Sequence, residues 1–365
     1  MRSGGLVVLA AGGTGGHLFP AQALAEALAA RGVRVALATD TRVSGHVAAF
    51  PAEAIYEISS ATPSRKSLPV MAKAALTLGR GIWTARGLMR RIRPALVVGF
   101  GGYPSVPPLL AATMVGAPTI IHEQNAVLGR ANRFLAGRVT AIATGFAAVG
   151  GLTDDLRAKA RHVGNPVRPP VIAAATEPLP PLGGAAPLRL VVFGGSQGAR
   201  VMSEIVPSAL ALLPAEQRGR LAVTQQARPE DLEQVRATYR DLGIGAVVEA
   251  FFTDLPARIA AGHLVVARSG ASTVAELGVI GRASILVPLP GSLDQDQAAN
   301  AATLAAIGAA TVIPQPEFTP ERLAADIAAR LADPAGLTRA AEAAKSAGIP
   351  DAAERLAALV VDMAR

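Results

Sequence analysis

One pattern occurs twice in this chain: an apolar β-type run ends in a glycine-rich turn and leads into a helix. LVVLAAGGTGG spans residues 6–16 and LRLVVFGGSQG spans 188–198, with the glycine pairs Gly12-Gly13 and Gly194-Gly195 182 residues apart. Strand, tight glycine turn and helix in alternation build parallel sheets covered by helices on both faces. A repeat at this distance predicts two similar α/β halves rather than one large sheet. A length of 365 residues also suits two domains.

The coarse reading of elements follows the same rhythm. In the first half, strands are predicted over 6–10, 33–38, 95–98, 118–121 and 139–142, with helices over 20–31 and 70–93. Pro20 is read as sitting near a helix start, where its fixed φ suits the first turn. In the second half, 188–193 and 264–267 read as strands and 201–213 as a helix. A proline-rich stretch at 166–187 separates the halves and reads as a linker. The expected division is therefore 1–165, linker 166–187, 188–345, and a C-terminal helix over 346–365 that can pack back on the first domain. Aromatic residues make up only 4% against 51% hydrophobic, so both cores must be aliphatic. Cysteine is absent, which excludes disulfides, Cys-ligated zinc, iron–sulfur clusters and a cysteine nucleophile, and makes a reducing compartment the default. No stretch reads as a signal peptide or a membrane span.

Charge is divided unevenly. Residues 1–165 hold 18 Lys+Arg and 7 Asp+Glu, a net of +11, whereas 166–365 hold 17 and 20, a net of −3. Glu57 and Glu123 bracket 65 residues without an acid, and 65–93 carries eight positive residues interleaved with Met71, Leu76, Leu78, Ile82, Trp83, Leu88 and Met89. A basic amphipathic helix of this kind suits an anionic phospholipid surface. An ordinary solvated face over a buried stripe explains it equally well. Nucleic acid is not expected, because the stretch holds few aromatics, Trp83 and Tyr103 among them, that could stack on bases.

The candidate sites lie where strands end. Gly12–Gly16 lets a backbone approach a phosphate at a helix N-terminus. It is not the dinucleotide fingerprint, since Leu18 occupies the third glycine position counted from Gly13, and no Walker A loop exists. Asp40 ends the second strand, where a ribose-binding acid sits in dinucleotide folds. His17 follows the first loop, where the helix dipole favours a neutral imidazole able to take a proton. His122-Glu123-Gln124-Asn125 closes an apolar strand with four polar residues. Adjacent residues on a strand point to opposite faces, so His122 and Glu123 do not make a metal pair. His46, His162 and His263 have no ligand spacing with them. Arg268-Ser269-Gly270-Ala271-Ser272-Thr273-Val274-Ala275-Glu276 enters a helix after a strand, with an arginine suited to phosphate and an acid suited to ribose hydroxyls. A Ser272 or Thr273 capping box with Glu276 accounts for part of this pattern. Asp294 and Asp296 are read as solvated turn acids rather than metal ligands.

Seven of these segments, in order, resemble the MurG family of bacterial peptidoglycan glycosyltransferases. They are GGTGGHLFPA (Gly12–Ala21), GFGGYPSVP (Gly99–Pro107), HEQN (His122–Asn125), GNPVR (Gly164–Arg168), GGSQGA (Gly194–Ala199), RSGASTVAEL (Arg268–Leu277) and DQAAN (Asp296–Asn300). The resemblance implies a GT-B fold, two Rossmann-like doubly wound domains with an interdomain cleft that closes over the donor. It implies inverting transfer of N-acetylglucosamine from UDP-GlcNAc to lipid I, the undecaprenyl-pyrophosphate-linked muramyl-pentapeptide, giving lipid II. No cofactor and no metal are implied. For UDP-GlcNAc, the motifs carry over Ser196 to the phosphates, Arg268 and Ala271, Ser272, Thr273, Val274, Ala275 and Glu276 to the nucleotide, and Gln297 to the sugar. Phe252 is set against uracil by its place in EAFFTDL. Thr14, Gly15, Gly16, Asn125 and Arg168 complete the donor site, and His17, Tyr103, Glu123 and Asn132 lie on the acceptor side.

The general base is His17 or Glu123. The turn Thr224-Gln225-Gln226-Ala227 departs from the family pattern by ending in Ala, and His263 stands where the family has Asp. The implied location is peripheral, on the cytoplasmic face of the bacterial inner membrane, with cell-wall assembly proteins as further partners. Another GT-B enzyme using UDP-GlcNAc with a different acceptor, or a UDP-GlcNAc 2-epimerase, is the alternative.

Overall fold

The computed structural model describes residues 5–12, 15–40, 50–61, 68–183, 186–195, 198–292 and 295–364. The chain divides into two compact units, Met1–Arg168 with Pro350–Arg365, and Pro169–Ile349.

In the first unit β1 (Leu6–Ala10), α1 (Gly15–Ala29), β2 (Arg34–Thr39), β3 (Ala54–Glu57), α2 (Leu68–Ile92), β4 (Leu96–Gly99), α3 (Val106–Met114), β5 (Thr119–Glu123), α4 (Arg130–Ala136), β6 (Ala141–Thr144), α5 (Asp154–Ala158) and β7 (Ala160–His162) follow in order. The strands form one sheet, ordered β3-β2-β1-β4-β5-β6-β7, all parallel. In β1 alternate residues serve opposite layers. Val8 and Ala10 join Val97, Ile121 and Ile142 under α2, α3 and α4. Val7 and Leu9 join Leu37, Val98 and Ile120 under α1. A strand covered on both faces reads as a continuous apolar run, which is why β1 shows no alternation in sequence.

In the second unit α6 (Pro169–Ala174), β8 (Leu188–Phe193), α7 (Arg200–Ala211), α8 (Ala215–Arg218), β9 (Leu221–Gln226), α9 (Leu232–Asp241), β10 (Gly245–Glu249), α10 (Leu255–Ala261), β11 (Leu264–Ala267), α11 (Ala271–Ile280), β12 (Ala283–Leu286), α12 (Asp296–Ala305), β13 (Ala310–Val312), α13 (Pro320–Ala332) and α14 (Pro334–Ser346) build the same plan. The sheet order is β10-β9-β8-β11-β12-β13, again parallel. Each unit thus has its first strand central, with chain order reversing beside it. Open α/β sheets bind ligands at the carboxyl ends of the strands at that point.

Two features differ from the sequence reading. Helix α1 starts at Gly15, more than a turn before Pro20, so His17 lies within its first turn. The proline-rich stretch is not bare linker. Its first residues form α6, and the carbonyls that follow are held by the second unit. Arg282, almost wholly buried, donates to the Pro178 carbonyl and to those of Ile280 and Gly281. Lys345 Nζ donates to Ala175 at 2.7 Å and Val279 at 2.8 Å. The last helix, α15 (Ala352–Met363), packs on α1, as its place in the chain allowed, with Leu356, Ala357 and Val360 buried in the layer beside β1.

Candidate functional site

In the first unit the polar strand ends converge. Gly13 and Thr14 lie outside the described residues; Gly15 and Gly16 open α1 and are partly or fully exposed. The half-exposed His17 ring lies against Gly101 and Gly102. A Cβ on Gly101 would stand 3.5 Å from His17 Cε1, and one on Gly102 would stand 3.3 Å from its Cδ2. Both glycines have left-handed φ, +82° and +68°, so no other residue suits this close approach. The same Gly101 position is 3.4 Å from Asn132 Nδ2 and 3.6 Å from Gln124 Oε1. His17, Gly101, Gln124 and Asn132 therefore share one spot. Tyr103 follows, partly exposed, at the head of a short 3-10 turn. Asp40 is buried at the end of β2 and accepts from Ser60 Oγ at 3.2 Å.

His122 and Glu123 part to opposite faces. His122 is fully buried, pairs with the Gly164 carbonyl through Nε2 at 3.0 Å, and lies 5.6 Å from the Phe100 ring. Burial pushes its pKa down to about 4. Glu123 is 1% exposed. Its Oε1 accepts from Asn125 N at 3.0 Å and Asn125 Nδ2 at 3.3 Å. Its Oε2 accepts from Gly129 N at 2.9 Å and Asn132 Nδ2 at 2.8 Å. Burial raises its pKa, while these donors pull it down. Two further residues of the cluster carry no role in the sequence reading. Gln124 Nε2 donates to the Phe100 carbonyl at 2.9 Å, and Asn165 Nδ2 donates to the Gln124 carbonyl at 2.8 Å. Both lie inside motifs, HEQN and GNPVR, which was the available signal. Arg168 rests over the Phe19 ring, 4.2 Å from its centroid, a cation–π contact.

In the second unit the β8–α7 turn is tight. A Cβ on Gly194 would stand 2.2 Å from Ala199 N, and Gly195 and Gly198 have φ of +89° and +68°. Ser196 lies outside the described residues. Gln226 braces this turn, accepting from Gly194 N at 3.3 Å and donating to the Ala250 carbonyl at 3.1 Å.

Helix α11 has Gly270 at its N-cap and no side-chain cap. Ser272 is thus inside the helix, and the capping box is not formed. Ala271, Ser272, Thr273 and Ala275 are partly exposed; Val274 and Glu276 are buried. The amides of the first turn point out of the helix end toward an anion's position. Arg268 does not: it is buried and donates to the carbonyls of Val287 at 3.0 Å and Pro288 at 3.2 Å, and to Gln315 Oε1. Through Nη1 and Nη2 its guanidinium ties the strand ends together. Ser269 Oγ donates to the Gln297 carbonyl at 2.8 Å, and Asn300 Nδ2 to the Ser269 carbonyl at 3.2 Å. Gln297, half-buried at the head of α12, accepts at Oε1 from Leu289 N at 3.0 Å. Phe252 is only 7% exposed and lies under Arg258, whose guanidinium carbon is 4.3 Å from the ring centroid; the open aromatic is its neighbour Phe251, 64% exposed. The exposed ring that could stack on a base is therefore Phe251.

Among the described residues no three His, Asp or Glu side chains gather as a metal site would need. None of the described helices is long and apolar enough to cross a membrane.

Comparison with known proteins adds to this geometry. Residues 7–144 match the glycosyltransferase family 28 N-terminal domain and residues 189–356 the family 28 C-terminal domain. A protein of Methylobacterium nodulans, named UDP-N-acetylglucosamine–N-acetylmuramyl-(pentapeptide) pyrophosphoryl-undecaprenol N-acetylglucosamine transferase, is 63% identical over 98% of this chain and 97% of its own. A Bradyrhizobium diazoefficiens protein of the same name is 55% identical over 100% of both. The crystal structure of Acinetobacter baumannii MurG superposes with a TM-score of 0.80 at 29% identity, covering 98% of this chain and 99% of that one.

Proposed function

The chain belongs to glycosyltransferase family 28, in its MurG branch, and from this premise we propose that it is the N-acetylglucosaminyl transferase that makes lipid II. It moves N-acetylglucosamine from UDP-GlcNAc to the muramyl-pentapeptide of lipid I. The observation that carries this is the end-to-end likeness to the Methylobacterium nodulans transferase, 63% identical over 98% of the chain.

The transfer is a single inverting displacement. The C4 hydroxyl of the muramyl sugar attacks C1 of GlcNAc, the bond from C1 to the β-phosphate oxygen breaks, and UDP leaves. His17 takes the hydroxyl proton, its ring held in place by Gly101 and Gly102. Glu123 is not the base, because both its oxygens are already occupied by chain donors. The charge that builds on UDP meets the uncapped first turn of α11 and the glycine turn after β8, with Ser196 assigned to the phosphates. Fixed amides of this kind are worth about 2.7–4 kcal/mol each in a transition state, enough to serve without a divalent cation. Glu276 is assigned to the ribose, Gln297 to the donor sugar, and Tyr103 and Asn132 to the acceptor. Asn125 is assigned to UDP-GlcNAc.

Helix α2 supplies the membrane contact. Gly81, Ala85, Leu88 and Met89 are buried, the other side carries Lys73, Arg80, Arg90 and Arg91 with exposed Leu76 and Trp83, and Val70 and Met71 are exposed in the first turns. Trp83 is 69% exposed and Arg86 lies 5.2 Å from its ring. Exposed apolar residues among cations suit the interface of an anionic bilayer, where lipid I resides. This makes the enzyme peripheral, on the cytoplasmic face, where cell-wall assembly proteins are accessible partners.

The test is UDP release from UDP-GlcNAc with and without a lipid I analogue, in EDTA. Release that requires the acceptor and survives EDTA is expected. Release without acceptor would point to hydrolysis or epimerisation, and loss in EDTA would overturn metal independence.

A further inference from the structure

A carboxylate offers about four lone-pair sites. In Glu123 all four are taken by N–H donors of the loop and helix α4 that follow it: Asn125 N, Asn125 Nδ2, Gly129 N and Asn132 Nδ2, at 2.8–3.3 Å. To receive a substrate proton, Glu123 would first have to abandon one of them. A buried N–H left unpaired costs about 1–3 kcal/mol.

The arrangement has a direction. Glu123 is buried, and Asn125 is partly exposed. Nδ2 of Asn125 is drawn to the carboxylate, so the amide cannot flip without setting its oxygen against Glu123. With Nδ2 committed to Glu123, the amide's other arm is Oδ1, a hydrogen-bond acceptor. A sugar hydroxyl is a donor that suits it. We propose that Glu123 is a positioning residue that fixes the amide of Asn125 so that its oxygen, rather than its nitrogen, meets a hydroxyl of UDP-GlcNAc. This rests on the reading above, in which Asn125 serves the donor. It also explains why the residue is an acid. A glutamine here would set its own NH₂ against two of the four N–H groups, leaving them unpaired or turning Asn125 over.

The experiment is steady-state kinetics in UDP-GlcNAc at saturating lipid I analogue for wild type, E123Q, N125A and the double variant, with thermal melting as the folding control. E123Q should raise KM for UDP-GlcNAc tenfold or more and lower kcat by less than that. It should leave the acid limb of the kcat–pH profile in place. The double variant should be no worse in KM than N125A, since both changes remove one contact. A thousandfold loss in kcat at unchanged KM, with the acid limb erased, would make Glu123 the base and overturn the proposal. So would additive effects on KM in the double variant. If E123Q does not fold, N125D replaces it, keeping the three other donors' anchor while withdrawing the Nδ2 bond. A tenfold rise in KM is expected there, and an unchanged KM overturns the proposal. A wild-type protein that fails to release UDP with acceptor would instead bring down the transferase reading, and the proposal with it.

Discussion

His122 and Glu123 adjoin in the chain and are both stripped of water, yet burial moves them in opposite directions. It disfavours the charged form of each, lowering the imidazole and raising the carboxyl. His122 stays neutral in the folded protein down to pH about 4, whereas it protonates near 6.5 when unfolded. The unfolded state then binds more protons between these values, so stability is complete above pH 6.5 and is lost as pH falls toward 4. The shift corresponds to about 3 kcal/mol. Glu123 acts with the opposite sign: its raised pKa removes stability as pH rises through the folded value. Urea unfolding of wild type and H122N across pH 4–7 should show the acid-side loss shrinking in the variant. An unchanged slope would remove His122 from the account. At His17, replacement by Ala should lower kcat about 10²–10⁴-fold, the range for a general base, with little change in melting temperature because the ring is half-exposed. Retained kcat would assign the proton elsewhere.

Among elements, α2 shows how one helix serves two environments. Its buried residues, Gly81, Ala85, Leu88 and Met89, recur at helical spacing only in its second half; the first half is largely exposed. Gly81 is fitted to its place, since a Cβ there would stand 2.0 Å from the Ser59 carbonyl oxygen. Gly81→Ala should therefore lift α2 from the strand ends and cost a few kcal/mol, in the range of overpacked cores; a melting temperature within a degree of wild type would refute this. Reversal of Arg80, Arg86, Arg90 and Arg91 to Glu should abolish sedimentation with anionic vesicles while acceptor-independent UDP binding stays. Unchanged vesicle binding would move the membrane contact off α2.

At the scale of the whole molecule, the C-terminal segment belongs to the first unit although the whole second unit, Pro169–Ile349, precedes it. Leu356 and Val360 are fully buried beside β1. Burial of such side chains contributes about 1.5–3 kcal/mol each. Deletion from residue 350 should therefore destabilise the first unit by roughly 5 kcal/mol, visible as earlier melting or faster hydrogen exchange in β1 and α1. Unchanged exchange in these elements would show that α15 contributes nothing to them.

The repeated apolar run and glycine turn determined the two parallel α/β units, because a strand buried on both faces must be apolar throughout and only glycine permits the turns that follow. The family likewise was legible, since GGTGG, HEQN and RSGASTVAEL are backbone and side-chain demands of one kind of site. The short edge strands β3 and β7 left little trace, being few in residues and half-covered. Which group in each motif faces a ligand was decided only by tertiary contacts. Phe251 and Phe252 are chemically identical neighbours, and packing under Arg258 alone decides which is hidden. Arg268 looks like a phosphate ligand in sequence, and only the fold shows that its Nη1 is turned to the carbonyls of Val287 and Pro288, brought beside it by β12. Glu123 reads in sequence as a candidate base, and only the fold shows that the segment 125–132 folds back and donates to both its oxygens. A side chain's type sets what it can bond to, but its partners come from distant segments, and a polar group spent on the chain's own backbone is no longer available to a substrate.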